Sequence, residues 1–130
     1  MEEAKNKTIL IVDDDKFLLN MYRMKFAESG FVVETATSGQ ETLQILRTGT
    51  SPQILMLDMV MPGMDGIELL ETIRKEKLAS SAHVVILSNQ SQASDMDKAK
   101  EFGIDGYIVK ATSIPSEVVQ EVIKVIKVKN

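Results

Sequence analysis

The 130-residue chain contains no cysteine, which excludes disulfides and thiolate metal sites alike. It has a single histidine, His83, where a strand pattern begins; that position reads as plain surface. No apolar run approaches the roughly 20 residues of a membrane span. The N-terminus, Met1-Glu2-Glu3-Ala4-Lys5, lacks the apolar segment of a signal peptide. The chain therefore reads as cytoplasmic, without a membrane partner. An excess of positive charge is missing too: 15 Lys and Arg stand against 19 Asp and Glu, for a net charge of −4. That balance does not attract a phosphate backbone, so direct nucleic-acid binding is not expected. No glycine-rich phosphate loop is present, and no repeat, low-complexity tract or linker divides the chain.

What is present is an ordinary globular mixture, 44% apolar and 26% charged, in a length that suits one domain spanning residues 1–130. Its organising stretch runs from Ile54 to Gly66. Ile54-Leu55-Met56-Leu57 is an unbroken apolar run, too short for a lone helix. It reads as a strand buried on both faces, as in the centre of a parallel sheet. The run ends on Asp58 and turns through Pro62 and Gly63. In open α/β sheets, ligands bind outside the carboxyl ends of the strands, so Asp58 sits where such a fold places its chemistry. The plainer alternative is an Asp that ends a strand and caps a loop.

The rest of the chain alternates. Thr8-Ile9-Leu10-Ile11-Val12 is a strand ending in Asp13-Asp14-Asp15. Leu18, Met21, Tyr22 and Phe26 fall at helical spacing before Gly30. Phe31 to Ala36 reads as a strand, and Ser38-Gly39 opens a helix carrying Leu43 and Leu46. After the central strand, Ile67, Leu70 and Ile73 mark a helix, and Val84-Val85-Ile86-Leu87 a strand ending at Ser88. Ala93 to Phe102 is a helix with a thin apolar face of Met96, Ala99 and Phe102, so weak anchoring is expected. Tyr107-Ile108-Val109 ends at Lys110, and Pro115 opens a last helix with a wide apolar stripe. Its outermost member, Ile123, is a candidate for exposure on a partner surface. The fold expected is α/β: a flavodoxin-like, doubly wound (βα)5 domain, with a five-stranded parallel sheet in the order 2-1-3-4-5. Asp13, Asp58, Ser88 and Lys110 each end a different strand and converge on one edge.

Several carboxylates packed together repel one another, so a cation or protons must compensate. Oxygen ligands without Cys or His suit Mg2+, with Mn2+ a second choice. Metal, the Lys110 ammonium and the Ser88 hydroxyl would suit phosphoryl oxygens while a carboxylate attacks. Without a phosphate loop, ATP held by this chain is not the expected donor.

Four motifs carry a family resemblance: Ile-Val-Asp-Asp-Asp at 11–15, Leu-Asp-Met-Val-Met-Pro-Gly-Met-Asp-Gly at 57–66, Leu-Ser at 87–88 and Tyr-Ile-Val-Lys at 107–110. Over nearly its whole length the chain closely resembles the receiver domain of two-component response regulators. The resemblance implies that Asp58 accepts phosphoryl from a histidine kinase or a histidine phosphotransfer protein, without independent substrate turnover. It implies that Asp13, Asp14, Asp58 and the Met59 carbonyl hold Mg2+, and that Ser88 and Lys110 bind phosphoryl oxygens. Ser88 and Tyr107 would form the switch. The face made by the fourth helix, last strand and last helix would then bind an effector protein or a second copy as a homodimer. Val60, Asn89 and Gln90 would tune dephosphorylation. Two residues depart from the family pattern. Ala111 follows Lys110 where proline is usual, so a trans Lys110–Ala111 bond and a rearranged loop from Thr112 to Ile114 are expected. Asn89 stands where a small residue is usual, and narrows access to Asp58.

Plainer roles compete at several positions. Asp15 suits a helix cap, and Asp65 a helix start. Met59, Met61 and Met64 read as gap fillers rather than soft-metal ligands. Tyr107, without the resemblance, reads as a static edge residue. A reading from another class is a small phosphatase resembling haloacid dehalogenases, with Asp13 as the nucleophile of Asp13-Asp14-Asp15. The absence of room for a substrate cap argues against it. The ending at Asn130 favours a stand-alone receiver over a piece of a longer regulator.

Overall fold

The computed structural model describes residues 4–89 and 93–129. Strands β1 (Thr8–Val12), β2 (Val32–Ala36), β3 (Ile54–Asp58), β4 (His83–Ser88) and β5 (Gly106–Val109) form one parallel sheet in the order β2-β1-β3-β4-β5. Helices α1 (Lys16–Glu28), α2 (Gly39–Arg47), α3 (Gly66–Lys75), α4 (Ala93–Glu101) and α5 (Pro115–Lys129) connect or follow them. This is the expected architecture. Its cause is visible in the central strand, where all five residues are buried. Side chains alternate across a strand, so an unbroken apolar run must be covered on both faces. Ile9, Ile11, Ile54, Met56, Val85 and Leu87 meet α1 and α5; Leu10, Val12, Leu55, Leu57, Val84 and Ile86 meet α2 and α3.

Several helix ends are fixed by their own sequences. Asp15 caps α1, accepting from Leu18 N at 3.1 Å. Asp65 caps α3 in a reciprocal box with Glu68, so both acids take the plainer role read for them. Met59 and Met61 fill core gaps, at 4% and 5% exposure.

Four expectations need correction. Ile123 is buried, at 2% exposure, because α5 lies flat on β4, β5 and α1 with its stripe inward; it offers no partner surface. In α1 the buried positions are Leu19, Tyr22 and Phe26, while Leu18 and Met21 are only half-buried. Phe31 precedes β2 and turns into the core, its ring edge-on to Phe26 with centroids 5.1 Å apart. His83 is not plain surface: its imidazole is half-buried, with Nδ1 3.8 Å from Asp105 Oδ2.

All described peptide bonds are trans, Lys110–Ala111 included, and a short 3-10 turn over Lys110–Thr112 follows β5. Among the described residues, no helix is long and apolar enough to cross a membrane.

Candidate functional site

Strand register assembles the site. Val12 pairs with Leu57, which brings Asp13 level with Asp58. Asp58 pairs with Leu87, and Ser88 with Val109, so Ser88 and Lys110 follow on the next strands. Asp13 and Asp58 continue the alternation that buries Ile9, Ile11, Ile54 and Met56. Both carboxylates are therefore carried inward, and Asp13 is fully buried. Asp14 points to solvent, yet one oxygen from each of Asp13, Asp14 and Asp58 lies within 4.8 Å of the others.

Lys110 answers this charge. Its Nζ lies 2.8 Å from Asp13 Oδ2 and 3.3 Å from Asp58 Oδ2, with a side chain only 8% exposed. The turn at Ala111 thus still delivers the ammonium to both acids. Asp13 Oδ1 accepts from Asp15 N at 3.0 Å, which fixes the carboxylate's orientation. Its Oδ2, despite the nearby ammonium, has no aligned hydrogen-bond donor.

One ammonium does not neutralise three acids. Burial, and then the charge of Asp13, push the Asp58 carboxyl up to about 7; Lys110 and the backbone N–H of Val60 only partly offset them. Burial works against the Lys110 ammonium, but its contacts with Asp13 and Asp58 outweigh burial and raise its pKa. The Tyr22 phenol, buried on α1, is held neutral by burial and by the charges of Asp13, Asp58 and Asp15. Sequence reading missed Tyr22 as a neighbour of the site, because its spacing marks only a core position.

The donor set fits a hard divalent cation. Its ligands are all oxygen, a buried carboxylate oxygen has no aligned donor, and the cluster carries uncompensated charge. Asp13, Asp14 and Asp58 would hold Mg2+. The Met59 carbonyl accepts from Gly66 N at 2.9 Å, which leaves it a second lone pair. Ser88 is buried at the end of β4. Tyr107, opposite Ile86 on β5, is half-buried against the α2–α3 side of the core. Val60 is 65% exposed beside Asp58, and Asn89 is exposed past Ser88. Gln90 lies outside the described residues.

Residues 9–123 match the family model of the response regulator receiver domain. The chain belongs to the response regulator receiver family. This receiver domain is 34% identical to the chemotaxis protein CheY of Halobacterium salinarum, over 85% of its own length and 89% of that protein. It is 34% identical to the alkaline phosphatase synthesis transcriptional regulatory protein PhoP of Bacillus subtilis, over 87% of the chain but 45% of that protein. Among solved structures, the receiver domain of the Francisella response regulator 1452 aligns over 96% of this chain and all of that one, at 30% identity and a TM-score of 0.83. Vibrio cholerae CheY4 shares the fold, with a TM-score of 0.84 at 23% identity over 92% of this chain and 98% of that one. Receiver domains are signalling proteins, and the dehalogenase-like alternative is not favoured.

Proposed function

We propose that this receiver takes a phosphoryl group onto Asp58 from the phosphohistidine of a histidine kinase or phosphotransfer protein in the cytoplasm, and then changes its affinity for an effector. The observation that carries this reading is the Lys110 ammonium held between Asp13 and Asp58, with three carboxylate oxygens gathered beside it. An ionised Asp58 oxygen attacks phosphorus. The new bond is P–O, the P–N bond breaks, and its electron pair stays on the imidazole nitrogen. Asp13, Asp14, Asp58 and the Met59 carbonyl would hold Mg2+, which would supply positive charge that favours the ionised form of Asp58. Lys110 takes one phosphoryl oxygen and the Ser88 hydroxyl another. Movement of Ser88 toward that oxygen draws Tyr107 inward and changes the α4–β5–α5 face, which then meets the effector or a second copy.

The domain takes part in its own dephosphorylation but turns over no separate substrate. Water must approach in line with phosphorus. Val60 offers that water no hydrogen bond, Gln90 offers no general base, and Asn89 crowds the entry. The test is incubation with acetyl phosphate and Mg2+ followed by mass spectrometry. One phosphoryl group on the wild type and none on Asp58→Asn is the expected result. Undiminished modification of Asp58→Asn, or phosphate found on Asp13, would overturn the assignment.

A further inference from the structure

The C-terminal end of helix α4 is fastened. From Met96 onward, Ala99 is its one fully buried residue, while Met96 is half-buried. Phe102, just past the helix, packs partly into the core that also receives Ala99. The final turn closes through Phe102 N to Ala99 O at 3.1 Å and Gly103 N to Lys100 O at 3.0 Å. Gly103 then takes a left-handed conformation, with φ +78°.

Two carbonyls at this end are claimed from outside the helix. Arg74 Nε donates to Phe102 O at 2.8 Å, and Arg74 Nη2 donates to Gly103 O at 2.7 Å. A guanidinium fork across two carbonyls is a rigid, charge-assisted contact, and it opposes the negative end of the helix dipole. Arg74 stands on a firm base. It occupies the last turn of α3, whose Leu69, Leu70 and Ile73 are all 0% exposed. The opposite end of α3 is tied to the acid cluster, through Gly66 N and the Met59 carbonyl. The helix α3 is therefore a rod that begins at the site and ends in a clamp on α4.

We propose that Arg74 makes the C-terminal turn of α4 a fixed pivot, about which the N-terminal part of the helix swings. Arg74 is a positioning residue: it touches neither the acids nor Lys110. The signal that drives the swing rests on the phosphorylation reading above, whereas the pivot itself does not. A partner would then sense the signal on the half of α4 nearest Ser88, with Phe102 and Gly103 unmoved.

Amide hydrogen exchange resolved by residue tests the pivot in the ligand-free protein. Wild type should protect Phe102 and Gly103 more strongly than Asp97 and Lys98. Arg74→Met should speed exchange at Phe102 and Gly103 about tenfold relative to the core strands, a change of about 1.4 kcal/mol. Arg47→Met is the control, since Arg47 also makes a two-pronged contact at this end of α3, to Glu76 at 2.9 and 2.6 Å, but to a carboxylate rather than to the carbonyls that end α4. It should leave the α4 gradient unchanged. Arg74→Lys, which keeps the charge but loses the fork, replaces the methionine variant if that fails to fold. An α4 gradient unchanged by either Arg74 substitution would overturn the pivot, as would equal loss in the Arg47 control. A second arm adds Mg2+ and beryllium fluoride. Exchange should then change at Met96 to Lys98 in wild type, and along the whole helix in the Arg74 variant. Change at Phe102 and Gly103 in wild type as well would overturn the pivot. No response anywhere would instead count against the phosphorylation reading, and the ligand-free arm would still decide the pivot.

Discussion

Replacing Asp58 with Asn should stabilise the metal-free protein. In the folded state the Asp58 carboxyl is pushed from 3.8 up to about 7, first by burial and then by Asp13. At 1.36 kcal/mol per pKa unit, ionising Asp58 costs the fold up to about 4 kcal/mol. Relaxation of water and ions around the cluster lowers that ceiling, so the expected gain for Asp58→Asn is between about 1 and about 4 kcal/mol. The sign follows from proton linkage. The folded state keeps the Asp58 proton longer than the unfolded chain does. The Asp58 contribution to wild-type stability is therefore fully present below pH 3.8, is lost as the pH rises, and levels off above about 7. Asn has no proton to lose, so the gap between variant and wild type should open across that window. Urea unfolding in EDTA, at pH 5 and at pH 8, measures it. Mg2+ should narrow the gap: at a hundred times its dissociation constant it adds about 2.7 kcal/mol to the wild type, and less to the variant, which lacks one ligand. A variant less stable than wild type at pH 8 in EDTA would refute the reasoning. So would a gap that does not change with pH.

Two further substitutions have expected outcomes. Val60→Asn should speed loss of phosphoryl about tenfold, or about 1.4 kcal/mol off the barrier, by giving the attacking water a hydrogen bond; side-by-side decay after donor removal measures this, and an equal or slower rate contradicts it. Lys77, at φ 57°, sits in the left-handed position after α3, where Leu78 N reaches back to Ile73 O at 3.0 Å. Lys77→Gly should therefore raise stability by about 1 kcal/mol in urea unfolding, and a loss would show that the lysine stem contributes more than its backbone geometry costs.

Most of the fold is legible in the sequence, because buried parallel strands leave unbroken apolar runs and each run here ends on a polar residue. The acids and Lys110 are legible for the same reason: strand ends in this topology lie side by side. Less legible is anything that depends on how a helix rolls. Spacing alone marks Leu18 and Met21 as readily as Leu19, and only the packing against β1 and α5 decides for Leu19. Ile123 misleads in the same way, since a stripe wider than one neighbour looks overexposed until β4, β5 and α1 all lie beneath it. Arg74 leaves no signal, because its partners are backbone carbonyls, which any sequence supplies.

The order of the site residues along the chain also bears on how the molecule folds. Of the three acids, Asp13 and Asp14 follow β1 and Asp58 ends β3, all in the first half of the chain, while Lys110 follows β5, the last strand. A nascent or partly folded sheet that joins β1 to β3 gathers three carboxylates before their buried counter-charge exists. Such an intermediate repels itself at neutral pH, and completion of the sheet relieves part of that repulsion by bringing in Lys110. Refolding should therefore be faster when either Mg2+ or mild acid supplies the missing positive charge, and Asp58→Asn should fold faster than wild type in EDTA. Stopped-flow refolding that shows no acceleration in any of these cases would remove the acid cluster from the folding barrier.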